Sequence, residues 1–189
     1  MIDFEYYNPA RIIFGAEPYN KVKEFLQLKG VKTLLMVYSG EFVKELGIYQ
    51  EIEEICKSLG IEFLANGNVV PNPKVELVRT LVDIGKQKHV DFILAVGGGS
   101  SVDTAKAVSV GIPYHKDVWD FFEGKAEITE AIPVGVISTI PASGSETSNA
   151  AIISNGFHKV GIEDEKIIPQ FAVMNPQYTR TLPKYQTAC

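Results

Sequence analysis

The sequence predicts an α/β fold, a Rossmann-like parallel sheet with helices on both faces. Short apolar runs rich in β-branched residues alternate with longer stretches whose apolar residues recur at helical spacing. The runs at residues 33–38, 91–96 and 134–138 are hydrophobic almost throughout, which is typical of strands covered on both faces. Together these two observations favour a parallel sheet.

The first half of the chain is expected to supply three strands and three helices. The strands are predicted at residues 11–14, 33–38 and 61–64. Helices over residues 18–29 and 49–59 are each followed by glycine, the residue favoured after helix C termini. A third helix is predicted because apolar residues recur at helical spacing from Val75 to Gly85.

The second half continues this alternation and then loses it. Residues 91–96 are the clearest strand, residues 101–110 the helix after it, and residues 134–138 a further buried strand. Short β-like runs follow at residues 151–153, 159–162 and 171–174. Pro183 suits the first turn of a helix, so we expect a helix that begins there and is interrupted at Cys189.

The composition is that of a soluble globular protein, which we expect to be cytoplasmic. The 189 residues are 46% hydrophobic and 22% charged, with a net charge of −5 and no basic cluster, so we expect no nucleic-acid partner. The N terminus is acidic and no apolar run is as long as a membrane span, so we expect no signal peptide and no membrane association. Cys56 and Cys189 are the only cysteines, which favours a reducing compartment.

The strongest functional signal is the Gly-Gly-Gly-Ser run between the clearest strand and its helix. Glycines let a ligand approach the backbone, and the helix behind them offers unpaired N–H groups and the positive end of its dipole. This combination suits a pyrophosphate. Gly97, Gly98, Gly99 and Ser100 are therefore candidate nucleotide ligands.

A plain strand-to-helix turn is the alternative, with Ser100 as the helix cap and Asp103 completing a capping box. Three consecutive glycines favour the ligand site, since a bare turn needs only one. The run differs from the dinucleotide fingerprint, because Val102 stands where a third glycine belongs. It also differs from a P-loop, because no Lys-Ser/Thr pair follows it.

A loop dense in hydroxyl side chains occupies residues 138–149. Ligand sites in parallel sheets lie at the carboxyl ends of strands, so Ser138, Thr139 and Ser143 are candidates to line a ligand. An ordinary capped loop is the alternative. The serine-hydrolase pattern Gly-x-Ser-x-Gly is absent.

The run Gly-Gly-Gly-Ser-Ser-Val-Asp-Thr-Ala-Lys at residues 97–106 closely resembles the signature of the iron-containing (group III) alcohol dehydrogenase family, in particular its butanol dehydrogenase-like branch. The resemblance continues along the chain in the family's order. The other matching segments are residues 6–9, 11–15, 71–73, 118–122, 144–146 and 178–183.

The resemblance implies a two-domain enzyme that interconverts alcohols with aldehydes or ketones by hydride transfer. Residues 1–182 are expected to form its dehydroquinate synthase-like NAD(P)-binding domain, and residues 183–189 the start of a truncated all-helical domain. In the family that helical domain holds Fe²⁺ or Zn²⁺. The histidines of this chain match no metal ligand of the family, so we assign no metal ligand and no catalytic residue, and we expect nucleotide binding with little turnover.

The resemblance also assigns nucleotide contacts to individual residues. Gly98, Gly99 and Ser100 would meet the pyrophosphate, Asp103 would lie toward the nicotinamide, and Lys159 would lie against the cofactor. The other residues that would line or flank the nucleotide are Asn72, Thr139, Ser143, Asn149, Tyr178 and Leu182.

Gly40 and Lys159 slightly favour NADP(H) over NAD(H). NAD-preferring relatives carry an acid after the strand that ends at Tyr38, and an acid would repel a 2′-phosphate. Glu41, next to Gly40, weakens this preference.

The implied partners are a small-molecule alcohol or aldehyde and a second copy of the chain. The homodimer would form through residues 11–14, for which an ordinary edge strand is the alternative. Two other functions remain open: a non-catalytic nucleotide-binding module, and a glycerol dehydrogenase or dehydroquinate synthase-type enzyme.

Overall fold

A computed structural model describes residues 3, 5, 7–140, 142–180 and 182–185. Its strands are β1 (Arg11–Phe14), β2 (Thr33–Tyr38), β3 (Glu62–Asn66), β4 (Phe92–Gly97), β5 (Val134–Ser138), β6 (Ala150–Asn155), β7 (His158–Glu163) and β8 (Phe171–Met174). Its helices are α1 (Tyr19–Lys29), α2 (Phe42–Glu45), α3 (Ile48–Leu59), α4 (Val75–Gln87), α5 (Gly99–Gly111) and α6 (Trp119–Phe122), and 3₁₀ turns cover Glu165–Ile167 and Pro176–Thr179.

Six strands form one parallel sheet in the order β1-β8-β5-β4-β2-β3. The predicted Rossmann-like α/β fold is therefore confirmed. The short helices α2 and α6 were not predicted, and α5 begins two residues earlier than expected. Of the final predicted helix, Lys184 and Tyr185 are helical, whereas residues 186–189 lie outside the described residues. Residues 6, 141 and 181 also lie outside them.

Helices cover both faces of the sheet, because successive residues of a strand point to opposite sides. In β4, Phe92, Leu94 and Val96 pack with α1 and α3. Ile93 and Ala95 pack with α4 and α5 on the other face. This two-sided burial is the physical reason why the central strands are apolar throughout.

The β-like runs at 151–153 and 159–162 form an antiparallel hairpin, β6-β7, outside the main sheet. The Ser154 N–H donates to the Pro73 carbonyl at 2.8 Å. Ala151 and Ile153 are buried in the same core as α4 and α5. The hairpin thus docks against the helical layer that follows the glycine run. In the described part of the chain, no helix has the length and apolar character to cross a bilayer.

Candidate functional site

The strand order creates a switch point between β2 and β4. From β2 the chain passes to β3 on one side, and later strands β4 and β5 lie on the other side. In open parallel sheets such a point leaves a crevice at the carboxyl ends of the two strands, where ligands bind. These ends are Tyr38 in β2 and Gly97 in β4, and α5 begins immediately after Gly98.

The N terminus of α5 carries no side-chain cap in the described structure. Gly98 occupies the cap position, and its carbonyl accepts the Ser101 and Val102 N–H groups at 3.0 and 3.3 Å. The interpretation of Ser100 as the cap, with Asp103 as its capping-box partner, is wrong because the helix begins at Gly99, before both residues. The N–H groups of Gly99 and Ser100, the first two residues of the helix, are therefore left for an external acceptor.

Each glycine of the run lies where a side chain would collide. Gly97 has φ +142°, and a Cβ there would lie 2.6 Å from the Ser101 Oγ. A Cβ on Gly98 would lie 2.9 Å from a methyl carbon of Ile140, and a Cβ on Gly99 would lie 3.0 Å from the Ser143 Oγ. The hydroxyl-rich loop predicted at residues 138–149 thus packs directly against the glycine run.

A cavity of about 810 Å³ opens over this helix terminus. Its volume falls in the range of cofactor sites, about 300–1,000 Å³. Six residues predicted from the sequence line it: Gly98, Gly99, Ser100, Thr139, Tyr178 and Leu182. The other lining residues are Ser39, Phe42, Glu45, Leu46, Val70, Pro71 and Ile140.

Three of the seven lining residues that the sequence reasoning missed belong to α2 or directly follow it. This helix has four residues, too few to show a helical repeat. Phe42, Glu45 and Leu46 all face the cavity, at the spacing of one helix face. One signal was readable in the sequence: an apolar residue, Phe42, four residues after the end of a buried strand.

Five further predicted residues lie beside the cavity without lining it. Gly40 follows Ser39, Asn72 follows Pro71, and Ser138 precedes Thr139. The Ser138 Oγ donates to the Ile140 carbonyl at 3.4 Å. Gly97 lies at the end of β4, where its carbonyl accepts the Thr139 N–H at 3.1 Å, and Ser143 shares a hydrogen bond of 3.0 Å with the Ser145 hydroxyl.

Lys159 and Asn72, two predicted cofactor residues 87 positions apart, contact each other. The Lys159 Nζ donates to the Asn72 Oδ1 at 2.9 Å. Asn72 has φ +55°, a conformation that asparagine tolerates better than most residues. The hairpin strand β7 therefore brings its lysine to the loop between β3 and α4, which also contains the cavity residue Pro71.

Lys106 is fully buried and holds the hydroxyl-rich loop. Its Nζ donates to the carbonyls of Ser145, Ser148 and Ala150 at 2.7, 2.7 and 2.9 Å, and contacts the Ser148 Oγ at 3.1 Å. Burial lowers the pKa of Lys106 to about 8, while the carboxylates of Asp103 and Glu146 act in the opposite direction. The sequence reasoning did not single out this residue, because a lysine is rarely fully buried.

Asp103 and Asn149 are not brought to the cavity lining. The Asp103 Oδ2 accepts the Ile152 N–H at 3.2 Å, and burial raises the pKa of its carboxyl group against the effect of that hydrogen bond. The Asn149 carbonyl accepts the Asp164 N–H at 2.9 Å. Both residues tie the hydroxyl-rich loop and the hairpin to their surroundings.

Tyr178 forms one wall of the cavity, and a hydrogen bond to Tyr19 holds its hydroxyl group. Its hydroxyl lies 2.6 Å from the Tyr19 hydroxyl, and the side chain is largely buried. Burial and the hydrogen bond to Tyr178 raise the pKa of Tyr19, so the Tyr19 phenol stays neutral at physiological pH.

The described residues offer no group of three or more His, Cys, Asp or Glu side chains that could hold a metal ion. The Fe²⁺ or Zn²⁺ that the family resemblance implies therefore does not fit the donor groups in the described part of this chain.

Comparison with known proteins identifies the family. The model of the iron-containing alcohol dehydrogenase family matches residues 9–176. The chain belongs to this family. NADH-dependent butanol dehydrogenase A from Clostridium acetobutylicum is 36% identical over 190 residues, covering 100% of this chain and 49% of the relative. The NADPH-dependent aldehyde reductase YqhD from Escherichia coli is 35% identical over 198 residues, covering 100% of this chain and 49% of the relative.

A solved structure agrees with these sequence matches. NADH-dependent butanol dehydrogenase A from Thermotoga maritima superimposes with a TM-score of 0.92 and 36% identity, over 98% of this chain and 47% of that one. The predicted resemblance is thus confirmed. The chain spans about half the length of the curated relatives it matches.

Proposed function

We propose that this chain binds NAD(P)H, with the pyrophosphate at the N terminus of α5. The observation that carries the proposal is the opening of this uncapped terminus into the cavity at the switch point of the sheet. The N–H groups of Gly98, Gly99 and Ser100 would donate to the pyrophosphate. The positive end of the helix dipole would stabilise its charge.

The other predicted residues would build the walls of the nucleotide site. Thr139, Tyr178 and Leu182 would contact the nucleotide directly, since they line the cavity. Gly97, Ser138 and Ser143 would support the glycine run, and Gly40 would flank the adenosine. Asp103 would lie toward the nicotinamide and Lys159 against the cofactor, and Asn72 and Asn149 would lie along the nucleotide.

For the complete protein we propose a cytoplasmic, metal-dependent alcohol dehydrogenase that interconverts alcohols with aldehydes or ketones. The names of the relatives, a butanol dehydrogenase and an aldehyde reductase, support a small alcohol or aldehyde as substrate. Fe²⁺ or Zn²⁺ would supply polarisation of the substrate oxygen. Because the described residues lack a donor set for it, we propose that this chain alone binds nucleotide with little or no turnover.

We also propose that the complete protein is a homodimer. The strand β1 lies at the edge of the sheet, paired with β8 on one side only. Its Ile12 and Phe14 side chains are 49% and 72% exposed. An exposed apolar edge strand can pair with a second copy of the chain.

Fluorescence titration with NADH and NADPH tests the binding proposal. Saturable binding of at least one nucleotide, competed by ADP, is expected, because ADP carries the pyrophosphate without the nicotinamide. Circular dichroism must show that the protein used is folded. No binding of either nucleotide to the folded chain would overturn the proposed function.

A further inference from the structure

The cavity lining contains one charged residue among those the structure describes, Glu45. It lies on α2, whose neighbouring residues Phe42 and Leu46 also face the cavity. Val70 and Pro71 complete an apolar wall at this end. The carboxylate is therefore placed beside apolar surface of the kind that packs against a flat heteroaromatic ring.

The charged neighbours of Glu45 turn away from the cavity. Lys44 and Glu41 form an ion pair of 2.9 Å, with side chains 43% and 75% exposed. Neither residue lines the cavity. The lining described at this end therefore offers no lysine or arginine to a phosphate group.

The adenosine of a bound dinucleotide fits this end of the cavity better than the opposite end. The Ser39 Oγ lies 3.3 Å from the point where a Cβ on Gly97 would stand, so the end of β2 adjoins the glycine run. A ribose joined to a pyrophosphate at α5 can extend past Ser39 toward α2, or past Thr139 on the β5 side. The apolar wall and carboxylate suit an adenine and its ribose diol, whereas the hydroxyl-rich β5 side suits a carboxamide.

We propose that Glu45 binds the adenosine ribose hydroxyls and makes the site select NAD(H) over NADP(H). This inference rests on the proposed nucleotide function. The Glu45 carboxylate would accept hydrogen bonds from the ribose 2′- and 3′-hydroxyls, and would repel a 2′-phosphate for which the described lining holds no counter-charge. The slight sequence preference for NADP(H) rests on the missing acid at Gly40 and on Lys159, whose Nζ donates to Asn72 and which does not line the cavity. Glu45 supplies that acid from the next helix.

The test compares dissociation constants of NADH and NADPH, measured by fluorescence titration, for the wild-type chain and three variants. The wild type is expected to bind NADH at least about tenfold more tightly than NADPH. Glu45→Gln should reduce this ratio to within about threefold, and Glu45→Arg should invert it. Glu41→Gln is the matched control, one turn away and outside the cavity, and should keep the wild-type ratio.

Salt provides a second readout, because the repulsion of a 2′-phosphate is screened as ionic strength rises. The wild-type ratio should shrink with added potassium chloride, and the ratio of Glu45→Gln should change less. Two outcomes overturn the inference alone: a wild type that binds NADPH more tightly, or an unchanged ratio in Glu45→Gln. Absence of binding by the folded wild type overturns the proposed function and this inference with it.

Discussion

Replacement of Lys106 by methionine should open the hydroxyl-rich loop and weaken nucleotide binding. Methionine keeps most of the side-chain volume and removes the ammonium group. The carbonyls of Ser145, Ser148 and Ala150 then lose the donor that they share at 2.7–2.9 Å. The same loop positions Ser143 against Gly99 at the helix terminus, so its release reaches the proposed pyrophosphate site.

The expected loss of stability is the difference between two opposing contributions to the free energy of unfolding. Three carbonyls left without a donor cost about 2 kcal/mol each where they stay buried, so the gross loss is about 6 kcal/mol. Removal of a buried ammonium returns part of this. The lowering of the Lys106 pKa from 10.5 to about 8 corresponds to about 3 kcal/mol at neutral pH. The net destabilisation should be about 3 kcal/mol, or a fall in Tm of about 6–12 °C for a chain of this size.

Urea unfolding and NADH titration measure the two consequences separately. Lys106→Met should lower the free energy of unfolding by about 3 kcal/mol and weaken NADH binding by about tenfold. Lys106→Arg retains the charge and should recover part of the NADH affinity. Lys21→Met removes an exposed ion pair with Glu24 and should change stability by less than about 1 kcal/mol. A Lys106→Met protein as stable as Lys21→Met would refute the assignment of Lys106 as the anchor of the loop.

Three further outcomes are expected. Gly97→Ala should abolish nucleotide binding and lower Tm, since its Cβ would lie 2.6 Å from the Ser101 Oγ. The control variant Gly124→Ala, at φ +67° with open space around it, should retain binding in the same titration. NADH at about one hundred times its Kd should stabilise the chain by about 2.7 kcal/mol, seen in calorimetry as a rise in Tm of about 5–10 °C, and no rise would contradict binding to the folded state. Because burial lowers the pKa of Lys106 to about 8 from 10.5, the unfolded chain holds a proton between these values that the folded chain has lost. The wild type should therefore gain stability relative to Lys106→Met from about pH 8 to about pH 10, and a constant difference in urea unfolding would contradict the lowered pKa.

The parallel sheet could be predicted from the sequence because a central strand is buried on both faces, so that every one of its residues tends to be apolar. In β4 all six residues are buried, and the run from Phe92 to Val96 is wholly apolar. The partners of a strand are not encoded in the same local way. The hairpin β6-β7 was predicted only as separate β-like runs, although Gly156, the first residue of its two-residue turn, is a known signal for a tight hairpin turn.

The candidate site could be predicted where glycine and hydroxyl residues are concentrated in the sequence. It could not be predicted where an ordinary residue has a role only because of a tertiary contact. The run at 97–99 and the loop after β5 were both recognised. Glu45 was missed because α2 spans a single turn, so nothing in the sequence shows that Glu45 faces inward while Glu41 pairs with Lys44 outside. Lys106 was missed because a lysine on a helix is usually exposed, and its carbonyl partners lie about 40 residues further along the chain.

The three glycines of residues 97–99 have different structural roles, and these roles bear on how far the run is evidence for a bound ligand. Gly97 is required by its positive φ and by Ser101, whereas Gly98 and Gly99 are required because Ile140 and Ser143 press against them. Packing within the chain thus accounts for all three residues without a ligand. The case for a nucleotide rests instead on what the packing leaves open, a helix N terminus without a side-chain cap beside a cavity of about 810 Å³ at the switch point of the sheet. A substitution in the run therefore perturbs the fold and the site together, whereas a variant at Glu45, which lines the cavity from an exposed helix, probes binding without disturbing the run.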